Sequence, residues 1–243
     1  MKRLEQTLNK QQTEDKARLD YEYEAKKRLY QEYEPLVFQL QELSESALTR
    51  IMNLARDAGN GFLVPGGWLS SKNSYYLRST VYRILTPMAL FKLMRARLTL
   101  FDLNLNSQFS NQYLLTKILY RTFAKDFTIA SLTPELNYKP VLDDSYPLGS
   151  RRQGIVIGIV DNMTENLIEY DENDKIYRII SFGKFDKKLD NENEFSILFG
   201  PAINLFLNFN PGQHSVLWRI LIIQAFIYKS LLTEQNQTLH QII

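Results

Sequence analysis

Apolar side chains recur at intervals of three and four residues through most of the chain, the pattern of helices with a buried face. The densest example runs from Tyr75 to Phe101. Ser74 or Asn73 can cap its first turn. Pro87 predicts a kink or a break, because proline removes a backbone donor. We expect a basic, amphipathic helix that is buried on one side. Its apolar positions are Leu77, Val81, Ile84, Leu85, Met88, Phe91 and Leu98.

A second apolar stripe precedes this one and ends at Gly59, a residue suited to the end of a helix. It begins after Pro35, where proline suits the first turn of a helix, so a helix should restart there. Residues 1–34 carry eight Lys/Arg and eight Asp/Glu. Such alternating charge is typical of a solvated helix or a weak coiled coil. The apolar heptad is not sustained, so a solvated helix and a self-association or partner helix both remain open.

The second half of the chain has weaker patterns. A further helix is expected over 111–127, and residues 128–152 lose all periodicity. Gly154–Val160 fits either a strand or the start of a helix that continues to Tyr170. We prefer the helix, because few other segments could pair with a strand there. Residues 175–189 predict a short amphipathic helix.

The C-terminal part is rich in large apolar side chains. A short helix is expected over 202–207, because Gly200-Pro201 and Asn210-Pro211 bracket it. The last helix, 214–232, is apolar almost all round, which indicates a central buried helix or a subunit interface. We expect no transmembrane span, since Arg219, Gln224 and Lys229 interrupt this helix. Arg83 interrupts the segment after Tyr75 in the same way.

These patterns predict a mainly α protein, a multi-helix bundle with a long charged N-terminal helical arm. The arm covers residues 1–58 and could form a coiled coil. A compact helical body follows over 59–243, with an irregular stretch near 128–152. At 243 residues the chain is long enough to bury a sizeable core.

Composition restricts the chemistry. The chain has no cysteine and two histidines, which excludes disulfides and thiolate metal sites and argues against a histidine-based metal centre. No phosphate-binding, dinucleotide-binding or hydrolase motif occurs, so we predict no cofactor and no catalytic residue. The absence of cysteine fits a reducing cytoplasm.

An enzyme with a carboxylate or Tyr/Arg site near the loop Gly59–Gly67 remains an alternative. We interpret that loop, which Trp68 follows, as a connection between helices, and a bound ligand there stays open.

Charge is distributed unevenly although the net charge is only +2. No acidic residue lies between Asp57 and Asp102, whereas 161–194 holds ten acids against five bases. The two regions could dock internally or form a polarised surface. Positive side chains of two helices could make one basic binding surface. The candidates are Arg78, Arg83, Lys92, Arg95, Arg97, Lys117, Arg121 and Lys125.

Our leading hypothesis is a non-enzymatic, cytoplasmic interaction protein, an adaptor or scaffold that acts through helical surfaces. The arm and the last helix would mediate self-association or docking of a protein partner. Deleting residues 1–34 should then leave a folded body with an altered oligomeric state. The alternative is a nucleic-acid-associated protein that uses the basic surface, since phosphate contacts come chiefly from clustered Lys and Arg.

Overall fold

A computed structural model of the chain describes residues 2–99, 102–124, 154–173 and 175–242, with side chains from Lys10 to Thr233 apart from Asn104. This part contains seven α-helices and one two-stranded sheet, so the predicted mainly α, multi-helix fold is confirmed. The predicted irregular stretch near 128–152 lies outside the described residues. The elements are α1 (Lys2–Gly59), α2 (Tyr75–Leu98), α3 (Ser107–Arg121), α4 (Ile157–Glu165), β1 (Ile168–Asp171), β2 (Ile176–Ile179), α5 (Phe182–Asn191), α6 (Asn193–Phe206) and α7 (Ser215–Ile242).

Helix α1 runs without interruption through Pro35, so the predicted restart at that residue was wrong. Proline inside a helix costs about 3 kcal/mol. Side chains on both sides of Pro35 offset this cost, because Tyr33 and Leu36 are fully buried and hold the backbone helical. With 58 residues, α1 is about 87 Å long at 1.5 Å per residue.

Helix α2 lies at the centre of the molecule. It packs against α1, α3, α4, α5, α6 and β2, and its buried residues include Arg78 and Lys92 as well as the apolar positions. The Ser74 hydroxyl caps it, accepting from the Leu77 amide at 3.2 Å. The helix continues through the buried Pro87, so no break occurs there. Because buried residues occur at consecutive positions along most of α2, the expectation that it is buried on one side only was wrong.

Helices α1 and α2 are antiparallel neighbours. Near one end of the pair, the Arg50 guanidinium donates to the Ser79 hydroxyl at 3.0 Å. Near the other end, Glu32 lies 3.8 Å from Arg97. Because sequence numbers rise along one helix and fall along the other, the C-terminal half of α1 covers α2 over most of its length.

Helix α7 packs against α1 and α3 and has one uncovered side. Phe226 is 68% exposed and Ile222, one turn earlier, is 36% exposed. The prediction of a central buried helix was therefore wrong, and the alternative of a subunit interface stays a prediction. The helix extends to Ile242, ten residues past the predicted end at Leu232.

A β-hairpin replaces helix in two predicted segments. Strands β1 and β2 pair antiparallel, with Ile168 opposite Ile179 and Tyr170 opposite Tyr177. Helix α4 therefore ends at Glu165, although the preference for helix over strand is confirmed from Ile157 onward. Residues that favour strands, β-branched or aromatic, occupy two of the four positions of β1 and three of the four positions of β2. The prediction of a continuing helical period overlooked this preference.

Three helix boundaries also differ from prediction. Helix α3 begins at Ser107, because the Asn106 side chain accepts from two amides of the first turn, and it ends at Arg121. Helix α5 begins at Phe182 rather than Lys175, and Ser181 caps it. Helix α6 begins at Asn193 and contains Gly200 and Pro201, which were expected to precede the helix.

Candidate interaction site

The segment from Lys10 to Arg28 of α1, here called the N-terminal segment, has no buried side chain. Leu29 is the first buried residue among the side chains that the structure describes. Ion pairs within the helix support the segment: Lys10 lies 3.8 Å from Glu14, and Arg18 lies 3.9 Å from Glu22. Such exposed pairs contribute only about 0.3–0.5 kcal/mol each, so a helix this exposed depends on its continuation into the packed half of α1.

Large side chains project from the N-terminal segment into solvent. Tyr21 is 74% exposed, Tyr23 is 67% exposed, and Leu19 is similarly exposed. Tyrosine combines a wide apolar ring with a hydroxyl, and it is enriched where protein interfaces concentrate their binding energy. The segment thus offers contact area to a partner while remaining compatible with water.

Helix α3 anchors α1 just after the N-terminal segment, at Tyr30 and Tyr33, which are here called its base. The Tyr33 hydroxyl donates to the Gln112 side-chain oxygen at 3.2 Å, and the ring of Tyr33 lies 4.1 Å from that of Phe109. The Tyr30 ring packs edge-on against Phe109 at 5.0 Å, and the Asn106 amide donates to the Tyr30 hydroxyl at 3.0 Å. These contacts fix where α1 leaves the body.

Arg78, a member of the predicted basic surface, is only 6% exposed. Its guanidinium donates to Asp186 at 3.0 Å and to Asp190 at 2.7 Å, which ties α2 to α5. Further bonds to the Asn73 side chain and the Lys72 carbonyl bring to four the number of its five N–H donors that are bonded to protein groups. The hydrogen bond from Arg78 holds the pKa of the Asp190 carboxyl below its usual range. Arg78 therefore serves internal docking of the basic and acidic regions.

Lys92 has a similar position further along α2. Its ammonium group donates to Glu165 and to the Asp161 carbonyl, each at 2.6 Å, and so ties α2 to α4. The Tyr120 hydroxyl donates to the Asp161 carboxylate from α3. Burial, together with that bond, raises the pKa of Tyr120.

The remaining members of the predicted basic surface lie closer to solvent. Arg95, Lys117 and Arg121 are exposed, whereas Arg83 and Arg97 are half-buried. Arg97 lies near Glu32 of α1. Lys125 lies outside the described residues. The seven described candidates are therefore divided: Arg78 and Lys92 form internal ion pairs, and the other five are exposed or half-buried on α2 and α3.

The loop after α1 is built by packing. The Trp68 ring stacks on Phe62 at 4.7 Å and lies 5.2 Å from Tyr76. Gly61 and Gly66 have φ values of 77° and 84°, which other residues adopt only with strain. The Asn210 side chain donates to the Leu63 carbonyl at 2.8 Å, which fastens the loop to the segment before α7.

A carboxylate, a tyrosine and an arginine do meet beneath this loop. The Tyr76 hydroxyl donates to Asp57, and the Arg50 guanidinium lies 4.3 Å from the centre of the Tyr76 ring. Burial and the bond to Asp57 raise the pKa of Tyr76 to about 12. A general acid or base works best with a pKa near the operating pH, and the pKa of Tyr76 is displaced away from neutrality. This group is therefore suited to holding α1 on α2.

Arg50 is the least satisfied of the buried charged groups. Burial lowers the pKa of its guanidinium, and its Nε and Nη1 atoms have no hydrogen-bond partner within the described part of the chain. The sequence pattern does not distinguish Arg50 from other charged residues, because Arg50 comes close to Ser79 and Tyr76 only when α1 and α2 pair.

A small polar cleft lies between the start of α2 and helices α5 and α6. Its volume is about 230 Å³, below the roughly 300–1,000 Å³ usual for small-molecule sites. Arg78, Asp190, Ser196 and Asn204 line it together with Lys72. Arg78, the most buried cation that lines this cleft, already donates hydrogen bonds to protein groups.

Other kinds of site have less support. Within the described ranges, no three histidine, aspartate or glutamate side chains are grouped so that they could hold a metal ion. One segment, Ser215–Thr233 of α7, is long and apolar enough to cross a membrane by length and composition alone. Core helices of soluble proteins meet the same criterion, so the absence of a span stays a prediction.

In comparisons with protein-family models, curated proteins and solved structures, none matched this chain.

Proposed function

We propose that this chain is a non-enzymatic, cytoplasmic protein-interaction protein, an adaptor or scaffold that binds through the N-terminal segment of α1. The observation that carries the proposal is a helix about 28 Å long, at 1.5 Å per residue, with no buried side chain from Lys10 to Arg28. Its exposed Leu19, Tyr21 and Tyr23 provide the area that a partner would cover. The anchored base positions this surface for binding.

A second exposed surface supports an adaptor role. Phe226 and Ile222 of α7 lie on one face, one turn apart. On α3, which packs against α7, the exposed Leu114 and Ile118 have the same spacing. Exposed apolar side chains that recur on one helix face are typical of interaction surfaces. An adaptor needs two such surfaces, and the chain presents apolar side chains on α1 and on α7.

Nucleic-acid binding has less support than protein binding. Arg78 and Lys92, two of the eight cations it would use, already neutralise acidic side chains of α4 and α5. A net charge of +2 adds little attraction for phosphate.

The test compares the full chain with a variant that begins at Leu29. This truncation removes the N-terminal segment and keeps every buried residue of the described part of α1. We expect an unchanged helical signal per residue in the body, together with loss of self-association in sedimentation or loss of the proteins co-purified from cells. A double variant, Tyr21→Ser with Tyr23→Ser, should weaken the same interaction without shortening the chain. Unaltered mass and unaltered co-purified proteins in both variants would contradict the proposal.

A further inference from the structure

The solvent sides of α3 and α7 have the same pattern of side chains. On each helix two exposed apolar residues lie one turn apart, and a cation lies three residues from each of them. Residues at these spacings share one side of a helix. Together these residues are here called the α3–α7 face. Its apolar members are Leu114, Ile118, Ile222 and Phe226, and its cations are Lys117, Arg121, Arg219 and Lys229.

The charge of the α3–α7 face has one sign. The sequence has no acidic residue from 103 to 125 and none from 195 to 233, so neither α3 nor α7 up to Thr233 contains an acid. Lys117, Arg121 and Lys229 are exposed, and Arg219 is half-buried. The face is therefore positive, although the net charge of the whole chain is only +2.

Packing brings the two halves of this face to the same level. Helix α3 begins where Tyr33 of α1 contacts it, whereas α7 begins near the loop that follows α1, so the two helices run in opposite directions. The Gln224 side chain donates to the Thr122 hydroxyl at 2.8 Å. Ile118, one turn before Thr122, therefore lies at about the height of the turn of α7 that contains Phe226. Side chains exposed at the same height on neighbouring helices can contact one flat surface.

Helix α1, which also packs against α7, limits the face on one side. The exposed side of α1 carries Phe38 and Met52, with exposed fractions of 66% and 64%. Glu42 and Glu45 lie between them and are exposed as well. Apolar side chains are thus exposed beside negative charge on α1 and beside positive charge on the α3–α7 face. Charge, rather than exposure, distinguishes the two surfaces.

Apolar and positive side chains on one surface match the chemistry of an anionic bilayer. Apolar side chains enter the boundary between headgroups and acyl chains, while Lys and Arg keep their charged ends among the headgroups. The negative potential of anionic lipids attracts cations close to the bilayer surface. Helix α7 also has a suitable composition, since Ser215–Thr233 is apolar enough, by length and composition, to enter a membrane.

We propose that the α3–α7 face docks on the surface of a membrane that contains anionic lipids. The two helices lie along the bilayer, with Ile118 and Phe226 inserted and Lys117 and Lys229 among the headgroups. The inference goes beyond the proposed function, because it assigns a lipid partner to the second exposed surface and needs no contact from the N-terminal segment.

Flotation of the full chain with lipid vesicles tests the docking. We expect binding to vesicles of phosphatidylcholine mixed with phosphatidylserine, weaker binding as salt rises, and little binding to phosphatidylcholine alone. The double variant Ile118→Ser with Phe226→Ser should bind at least about tenfold more weakly, because it removes the inserted apolar area. The matched double variant Phe38→Ser with Met52→Ser should bind like the unaltered chain. Equal losses in the two double variants, or no binding by the unaltered chain, would overturn the proposal.

Charge removal tests the contribution of the headgroups. Lys117→Gln with Lys229→Gln should weaken binding to the anionic vesicles by about 25-fold, at about fivefold for each cation. Arg95→Gln with Lys187→Gln removes the same charge from exposed positions of α2 and α5 and should have a smaller effect. Circular dichroism checks that each variant keeps its helical content. Equal effects of the two pairs would show that only net charge matters, against the proposed face.

The variant that begins at Leu29 separates this inference from the proposed function. It retains the α3–α7 face and should bind the anionic vesicles like the full chain, even where it loses a co-purified protein. Loss of vesicle binding in this variant would assign lipid binding to the N-terminal segment and overturn the inference. If Ile118→Ser with Phe226→Ser abolishes self-association and leaves vesicle binding unchanged, the face covers a second copy, and the inference is likewise wrong.

Discussion

At the scale of single residues, burial decided the roles of the charged side chains. Arg78 and Arg95 are chemically identical side chains on the same helix, α2. Arg78 donates to four hydrogen-bond acceptors, whereas Arg95 is exposed. A buried cation is retained where hydrogen bonds and opposite charges compensate for lost hydration. The sequence identified both as basic, and only the position of α5 and its aspartates distinguishes them.

Replacing Arg78 should therefore destabilise the fold. Arg78→Ala leaves Asp186 and Asp190 without their shared cation, and we expect the free energy of unfolding to fall by about 1–3 kcal/mol. Arg95→Ala, the matched exposed control on the same helix, should change it by less than about 0.5 kcal/mol. Urea denaturation followed by circular dichroism measures both, and equal effects would contradict the assigned ion pairs.

Tyr76 should make stability depend on pH in the alkaline range. Its pKa is about 12 in the folded protein, against about 10 for an unperturbed tyrosine. Because the folded state holds the proton more tightly, the associated stabilisation is complete below about pH 10 and is lost as pH rises through 12. Tyr76→Phe should make the decline in unfolding free energy between pH 10 and 12 shallower. An equally steep or steeper decline in the Tyr76→Phe variant would refute the assignment.

At the scale of elements, α1 shows how packing overrides a local signal. Pro35 suggested two helices, but the buried residues on either side of it, Tyr33 and Leu36, belong to one core-facing stripe. The useful boundary within α1 is the transition from exposed to buried residues at Leu29. That boundary has no turn, no glycine and no proline to mark it, so the sequence pattern placed the end of the charged region at residue 34.

Two truncations separate these boundaries. Removal of residues 1–28 should leave the stability of the body nearly unchanged. Removal of residues 1–34 also deletes Leu29 and Tyr33, which are fully buried. At about 1.5–3 kcal/mol for each large buried side chain, the longer deletion should cost at least about 3 kcal/mol. Thermal and urea unfolding of the two variants provides the measurement, and equal stabilities would contradict the observed anchoring of α1.

At the scale of the whole molecule, the described helices are organised around α2. It contacts five helices and a strand. Several of its buried polar residues make internal hydrogen bonds, such as that from the Thr80 hydroxyl to the Tyr76 carbonyl at 2.7 Å. A helix surrounded in this way opens only when its neighbours separate, whereas an exposed helix end opens at little cost.

Amide hydrogen exchange should show this gradient. We expect the slowest exchange in α2 and the fastest exchange within α1 in the N-terminal segment, measured by mass spectrometry of proteolytic fragments. The rates in α2 should be the same in the variant that begins at Leu29. Exchange in α2 as fast as in the N-terminal segment would refute the central role of α2.

The sequence alone determined the fold class, a cap for α2 at Ser74 or Asn73, most helical segments and the balanced charge of residues 1–34. These features depend on local periodicity and composition, which neighbouring residues carry. Tertiary structure alone decided that α2 rather than α7 is central, that 168–179 forms a hairpin, and that Arg78 and Lys92 are internal. The internal positions of Arg78 and Lys92 depend on contacts with acidic residues about 70–110 positions away, as Asp186 is from Arg78. The hairpin depends on the pairing of its two strands and on the packing of β2 against α2. Helical period shows that a face is apolar, but only packing fixes how many faces are covered.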